Sequence, residues 1–304
     1  MSLIDRRTIL KSAVIGGLGL VLPESAGAAA SRLTVTRLDE DLVVISGAGS
    51  NVTAARSADG IVMVDGGLAD HSKALLKQLF EVFPGSRVHT LFNTHWHPEQ
   101  TGSNTRLADA GARILAHENT RLWLTRKITR PGEDRVYEPL PAKARPSETF
   151  YTHGTMPFAD GEIAYGYMLQ AHTDGDIYVH FRHHNVLAAG GVVTADAWPF
   201  VDWWTGGWIF GLVDGLDRLL EAADEDTRIV PATGPMLRRA DLVAQREMYS
   251  VIAERLLKLL TSSMSPEEAV AAKPAREFEG QWGNSDVFVK QAFESLWGHF
   301  SPDA

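Results

Sequence analysis

The sequence predicts a layered α/β domain. Short β-rich runs alternate with helix-period segments in two successive halves, and 44% hydrophobic residues across 304 positions supply the apolar surface that stacked sheets and helices must bury. The formal net charge of −9, with basic residues scattered along the chain, excludes a phosphate-tracking nucleic-acid surface and leaves small molecules or proteins as partners.

The first 28 residues stand apart from the fold. Paired arginines in Asp5-Arg6-Arg7-Thr8-Ile9-Leu10-Lys11 precede an apolar run over 13–22, and Ala26-Gly27-Ala28 supplies a small-residue cleavage site. That run is too short to cross a hydrocarbon layer of roughly 30 Å as a helix. The segment resembles a twin-arginine signal. The resemblance implies a bacterial protein that folds before crossing the inner membrane, with the twin-arginine export machinery as a partner. It also implies a periplasmic location, a domain over 29–304 ending in helices, and no stable membrane span after cleavage. The chain has no cysteine, which suits an oxidising compartment and removes thiolate from any metal-site or nucleophile proposal.

Strands are expected over 33–38, 42–45, 51–55 and 61–64, where β-formers alternate with Asp, Gly and Ser punctuation. A helix over 69–83 stops at Pro84-Gly85, and 88–93 reads as a buried strand. The alternation recurs as a strand over 113–116 and a helix over 118–127, before a proline- and charge-rich surface excursion over 129–147. Strands over 162–170, 177–181 and 186–189 follow, then an aromatic loop over 198–208, a helix over 209–223 and a strand over 228–231. Helices over 237–261 and 285–297 complete the pattern.

The chemistry is concentrated in Thr94-His95-Trp96-His97-Pro98-Glu99-Gln100-Thr101-Gly102. Two imidazoles two residues apart, in a strand-to-helix loop, can converge on one ion. Catalytic zinc typically takes three protein ligands and keeps one open position. The third ligand is His172, in the glycine-containing loop Ala171-His172-Thr173-Asp174-Gly175-Asp176 between two β-runs. The other reading of these histidines is a set of ordinary hydrogen-bonding side chains. His183 and His184 fall at a hairpin turn, and His117 opens a helix that it can cap. Trp198, Trp203, Trp204 and Trp208 either line a pocket or pack under the following helix.

The order His95-Trp96-His97, then His172-Thr173-Asp174-Gly175-Asp176, resembles the metallo-β-lactamase superfamily. Val64-Asp65-Gly66-Gly67 is similar to its early aspartate turn, and Val230-Pro231-Ala232-Thr233-Gly234-Pro235 to its late Pro-Gly-His-Gly-Pro loop. The match spans roughly 33–260. It implies an αβ/βα four-layer sandwich with the metal at one edge of the sheets. The departures fall on one side of the site. Glu99 and Gln100 stand where the family has Asp and His, Gly191 where it has a bridging Asp, and Thr233 where it has a final His.

These features predict one ion on His95, His97 and His172, with zinc expected and iron or manganese as alternatives. Metal-bound hydroxide would attack an ester, lactone, thioester or amide bond of a small-molecule substrate. Glu99 is the candidate catalytic residue, orienting the water or accepting its proton, with its carboxylate displaced by roughly 1.5 Å from the shorter Asp. Gln100 is read as solvated or as a hydrogen bond to substrate, and Asp65 as a support for the loop or an imidazole. An iron-dependent oxidoreductase and a non-catalytic periplasmic binding or assembly protein remain the competing functions.

Overall fold

The computed structural model describes residues 32–130, 133–195 and 197–300. The targeting segment expected over 1–28 lies outside them. An antiparallel meander opens the domain: β1 (Thr34–Arg37), β2 (Leu42–Ser46), β3 (Val52–Ser57) and β4 (Gly60–Val64). After α1 (Ser72–Val82), strand β5 (Val88–Phe92) joins β4 in parallel. Two short helices, α2 (Pro98–Thr101) and α3 (Asn104–Asp109), lead to β6 (Arg113–His117), also parallel, and then to α4 (Glu118–Trp123).

The expected surface excursion carries regular structure among its described residues. It contains the ribbon β7 (Ile128–Thr129) with β8 (Val136–Tyr137) and a single 3-10 turn at Ala142–Ala144. Asn104 Nδ2 donates to Ala144 O at 3.0 Å, tying that turn to α3. A short β9 (Glu148–Phe150) then closes a sheet of order β1-β2-β3-β4-β5-β6-β9.

The second sheet has the order β10-β11-β12-β13-β14. Its strands are β10 (His153–Phe158), β11 (Gly161–Tyr167), β12 (Ile177–Phe181), β13 (Val186–Gly190) and, after α5 (Ile209–Ala222), β14 (Arg228–Pro231). The alternation pattern did not anticipate β10. Its Pro157 and Gly154 break the β signature, and the strand is tolerated because it lies at the sheet edge, where a missing ladder donor is harmless. The chain ends with α6 (Arg239–Thr261), α7 (Pro266–Ala271), α8 (Glu279–Trp282) and α9 (Asp286–Phe300).

Period-two alternation explains the layers. In β2 and β4, Leu42, Val44, Val62 and Val64 face the second sheet, where they meet Ile163, Val179, Phe181 and Val186. The intervening Val43, Ile45, Ile61 and Met63 face outward onto Leu75, Leu79 and Phe83 of the α1 region. On the far side, Leu187, Ala189 and Ile229 pack under Leu212 and Leu216 of α5 and Tyr249 and Ile252 of α6. The result is the αβ/βα four-layer sandwich. Among the described residues, no helix is long and apolar enough to cross a membrane.

Candidate metal centre

The site forms where the ends of the two sheets meet. β5 ends at Phe92, and the chain turns through Thr94-His95-Trp96-His97 before Pro98 starts α2 at the first helical position, where its fixed φ suits a helix. Gly102 lets α2 sit directly on the Asp65 turn, because a Cβ there would lie 2.2–2.4 Å from the backbone of residues 67–69. His172 comes from the loop between β11 and β12. The two loops are stitched together by Ile177 N donating to Thr94 O at 2.9 Å.

His95, His97 and His172 are all buried, and their candidate ligand atoms lie within 4.8 Å of one another. The rings are close to mutually perpendicular. Centroid separations are 4.7 Å for His95 with His97, 4.6 Å for His95 with His172 and 4.8 Å for His97 with His172, with interplanar angles of 84°, 74° and 84°. Rings that meet edge-on bring nitrogens together, as ligation by three imidazoles requires.

Each imidazole also has one nitrogen engaged away from the others. His97 Nε2 donates to Asp202 Oδ2 at 2.8 Å. His172 Nδ1 faces Asp176 Oδ1 at 3.3 Å, and the other Asp176 oxygen accepts from Thr173 N. His95 Nδ1 lies 3.1 Å from Thr94 Oγ1, whose hydroxyl donates to Asp65 at 2.9–3.0 Å. These contacts select the tautomers. They leave Nε2 of His95, Nδ1 of His97 and Nε2 of His172 with a lone pair each, the arrangement in which outer carboxylates orient metal-binding histidines.

Burial sets the protonation states. It pushes His95 well below its ordinary value, assisted by the neighbouring His172 and His97. His97 is also lowered by burial, against the pull of its Asp202 hydrogen bond. Neutral imidazole is the form that can ligate. Burial would raise Asp202, but its hydrogen bond and charge interaction with His97, together with Arg130, outweigh it and hold the carboxyl below the usual range. Burial pushes Asp65 up to about 8 despite the Thr94 hydrogen bonds. Asp65 also sits at φ 64°, a left-handed conformation that Asp tolerates better than most side chains.

The opposite side of the site is built differently. A Cβ at Gly191 would lie 2.5 Å from His172 Nδ1, so the ring occupies the space a side chain would need. Gln100 is buried rather than solvated, and its Oε1 has no hydrogen-bond partner. Glu99 is half-buried on the first turn of α2, outside the clustered donors, and its carboxylate makes no hydrogen bond or ion pair among the described residues. Its backbone carbonyl accepts from Ser50 Oγ at 2.7 Å. The loop carrying Thr233 is held by Asn51, whose Nδ2 donates to Pro231 O and Gly234 O at 3.0 and 2.9 Å.

The aromatic loop after β13 supplies parts of the site that carried no local signal. Asp202 reaches His97 across 105 residues of sequence. Arg130 NH1 lies 3.4 Å from Asp202 Oδ2, and the guanidinium sits over Phe200, Tyr137 and Trp96 at 4.8, 4.8 and 5.6 Å from their ring centroids. The Phe200 centroid is 6.0 Å from that of His97 and 6.3 Å from that of His172. Trp96 Nε1 anchors the loop through Thr205 Oγ1 at 3.0 Å. Asp176 was legible in principle, since it lies four residues after His172 in the same loop.

The other histidines stand away from this cluster. His117 caps α4 by accepting from Asn119 N at 3.2 Å and stacks on Tyr167. His183 is exposed, whereas His184 is half-buried against Asp39 at 2.6 Å.

An αβ/βα sandwich with three buried imidazoles at its edge defines a class of proteins, and comparison with known families agrees. A model described as the metallo-β-lactamase superfamily matches residues 45–255, and the chain belongs to that superfamily. Among solved structures, the DIM-1 metallo-β-lactamase superposes with a TM-score of 0.58 at 17% identity, covering 72% of this chain and 97% of its own. A metallo-β-lactamase from Pontibacter korlensis gives 0.57 at 18% identity, covering 72% and 99%. The stereoselective inverting sec-alkylsulfatase Pisa1 from Pseudomonas sp. gives 0.64 at 14% identity over 90% of this chain, which spans about half of that one, 51%. At these identities the likeness is one of fold. A search of curated proteins found no match.

Proposed function

We propose that this protein is an exported, periplasmic metal-dependent hydrolase that holds one ion on His95, His97 and His172 and acts on a small molecule with an ester, lactone, thioester or amide bond. The observation that carries the reading is the outward hydrogen bond of each imidazole. Three buried rings with their second nitrogens committed to Asp202, Asp176 and the Thr94–Asp65 pair present their remaining nitrogens to one point. Vestigial histidines need no such alignment. The donor set suits zinc, and also iron or manganese. Two of the similar structures bear the name metallo-β-lactamase and one is an alkylsulfatase, which supports a small-molecule substrate.

The opposite wall supports a single ion, since Glu99 is the one anionic side chain among its four departures from the family pattern. Gly191 offers no ligand atom and no room for one, and Gln100 and Thr233 are neutral. A bound ion supplies Lewis acidity and acidifies a water toward neutrality. The chain's own residues do the rest. Asp202, Asp176 and Thr94 hold the imidazole protons away from the ion, Phe200 screens the rings from bulk water, and Glu99 is the base that accepts a proton or orients the water.

The test is elemental analysis of the exported, tag-free protein beside a His95→Ala/His97→Ala control, followed by an ester and lactone screen. About one zinc per chain, absent from the control, supports the reading. Iron redirects the screen to oxygen consumption, and absence of any metal favours a binding protein. Glu99→Gln should keep its metal and slow turnover by about 10²–10⁴-fold; equal metal loss in this variant and in His172→Ala would make Glu99 a ligand.

A further inference from the structure

The loop over 198–208 lies against the N-terminal half of α9, and two adjoining cavities of about 380 and 320 Å³ flank it. Both use Phe200, Val287 and Gln291 as walls. One reaches Arg130 and Asp202, beside the triad, and the other reaches Trp198, Trp282 and Phe288. Each volume falls within the roughly 300–1,000 Å³ of small-molecule sites. Trp198 stacks on Phe288 with centroids 4.8 Å apart and planes at 14°, so the floor is rigid aromatic surface. At the lip, Val287 is 68% and Trp204 47% exposed.

Large apolar side chains facing water along a groove represent surface that a ligand can cover. The basic groups at the rim are matched within the protein, and the Glu294 carboxylate there accepts a hydrogen bond from Trp203. Arg130 pairs with Glu133 at 3.0 Å and Asp202 at 3.4 Å, and Lys290 with Glu267 at 3.5 Å. The groove therefore offers hydrocarbon contact rather than ionic recognition. At its inner end the Phe200 ring, 6.0 Å from His97 and 6.3 Å from His172, stands with Arg130 and Asp202 between it and the imidazoles.

We propose that this groove is the apolar subsite of the triad. It takes the unbranched hydrocarbon portion of an acyl substrate whose reactive carbonyl lies on the histidine side of Phe200. The assignment rests on the metallohydrolase reading and adds the substrate class to it: medium-chain acyl compounds rather than small polar ones. Phe200 is the partition the substrate must turn aside.

Two measurements on the full-length, metal-loaded protein separate this inference from the reading beneath it. The first is calorimetric binding of N-methyl alkanamides of increasing chain length, a probe that needs no turnover. Affinity should rise about fourfold per methylene at full burial, and the slope should flatten in Val287→Glu and Trp204→Ala. Both replaced side chains are exposed, so the variants should keep the wild-type thermal midpoint. His97→Ala should retain the slope. The second is kcat/KM for p-nitrophenyl esters from acetate to octanoate, expected to climb in parallel. Chain-length-dependent binding lost in Val287→Glu but with no ester turned over would uphold the groove and sink the hydrolase. Ester turnover or amide binding indifferent to chain length would overturn the groove, whatever becomes of the hydrolase.

Discussion

The two walls of the site are built on different terms. On the histidine wall each imidazole has a partner for its outer nitrogen, drawn from Asp202, Asp176 or the Thr94–Asp65 pair. On the facing wall Gly191 touches His172 with no side chain at all, and the Gln100 side-chain Oε1 is buried without a partner among the described residues. Buried polar groups are normally satisfied, because leaving one unpaired costs about 1–3 kcal/mol. The contrast locates where orientation is maintained: the first wall is organised to hold three donors still, and the second is packed against His172 without partners of that kind.

If that division is right, substitutions should fall in a graded series. His172→Ala should lower metal affinity on the order of 10³-fold, as about a third of a structural binding energy of roughly 10–16 kcal/mol is lost; competition with a chelator measures it. Asp202→Asn keeps a hydrogen-bond acceptor for His97 but removes the charge, so affinity should drop about 10–100-fold in the same titration. An undiminished affinity would mean that the Asp202 contact is incidental. Gly191→Ala should push the His172 ring aside, destabilising the fold by roughly 1–3 kcal/mol in urea melts and weakening metal binding with it.

Asp65 gives a pH signature. A carboxyl raised from 3.8 to about 8 on folding favours the folded state fully below 3.8 and loses that advantage as pH rises to about 8. The thermal midpoint of metal-free protein should therefore decline across this window, and Asp65→Asn should remove that component. A bound dication pulls the carboxyl back toward ionisation and should flatten the same slope. Gln100→Leu should have the smallest effect, within about 1 kcal/mol and of either sign, because it removes an unpaired acceptor and keeps the volume. A large loss of turnover in that variant would show that Gln100 belongs to the working machinery.

What could be read along the chain was local. β-rich runs bounded by turn residues marked β1 to β6 and β11 to β14, and the spacing of His95 and His97 together with the glycine-containing His172 loop between two β-runs pointed to the triad. The edge strand β10 escaped because Pro157 and Gly154 hide it and only sheet position makes them acceptable. The tryptophan loop was ambiguous for a related reason. Trp198 packs on Phe288 and lines a cavity at once, and composition does not distinguish the two uses.

The sequence was sufficient for the alternation of strands and helices and for the pairing of His95 with His97, because each depends on neighbours within a few positions; the residue types standing opposite the triad were legible through the resemblance to the superfamily's ordered motifs. Tertiary structure alone decided that Asp202 holds His97, that the His172 ring fills the space beside Gly191, and that Phe200 divides the triad from an apolar groove. Those contacts depend on how two sheets bring together loops that are far apart in the chain, and no periodicity encodes them.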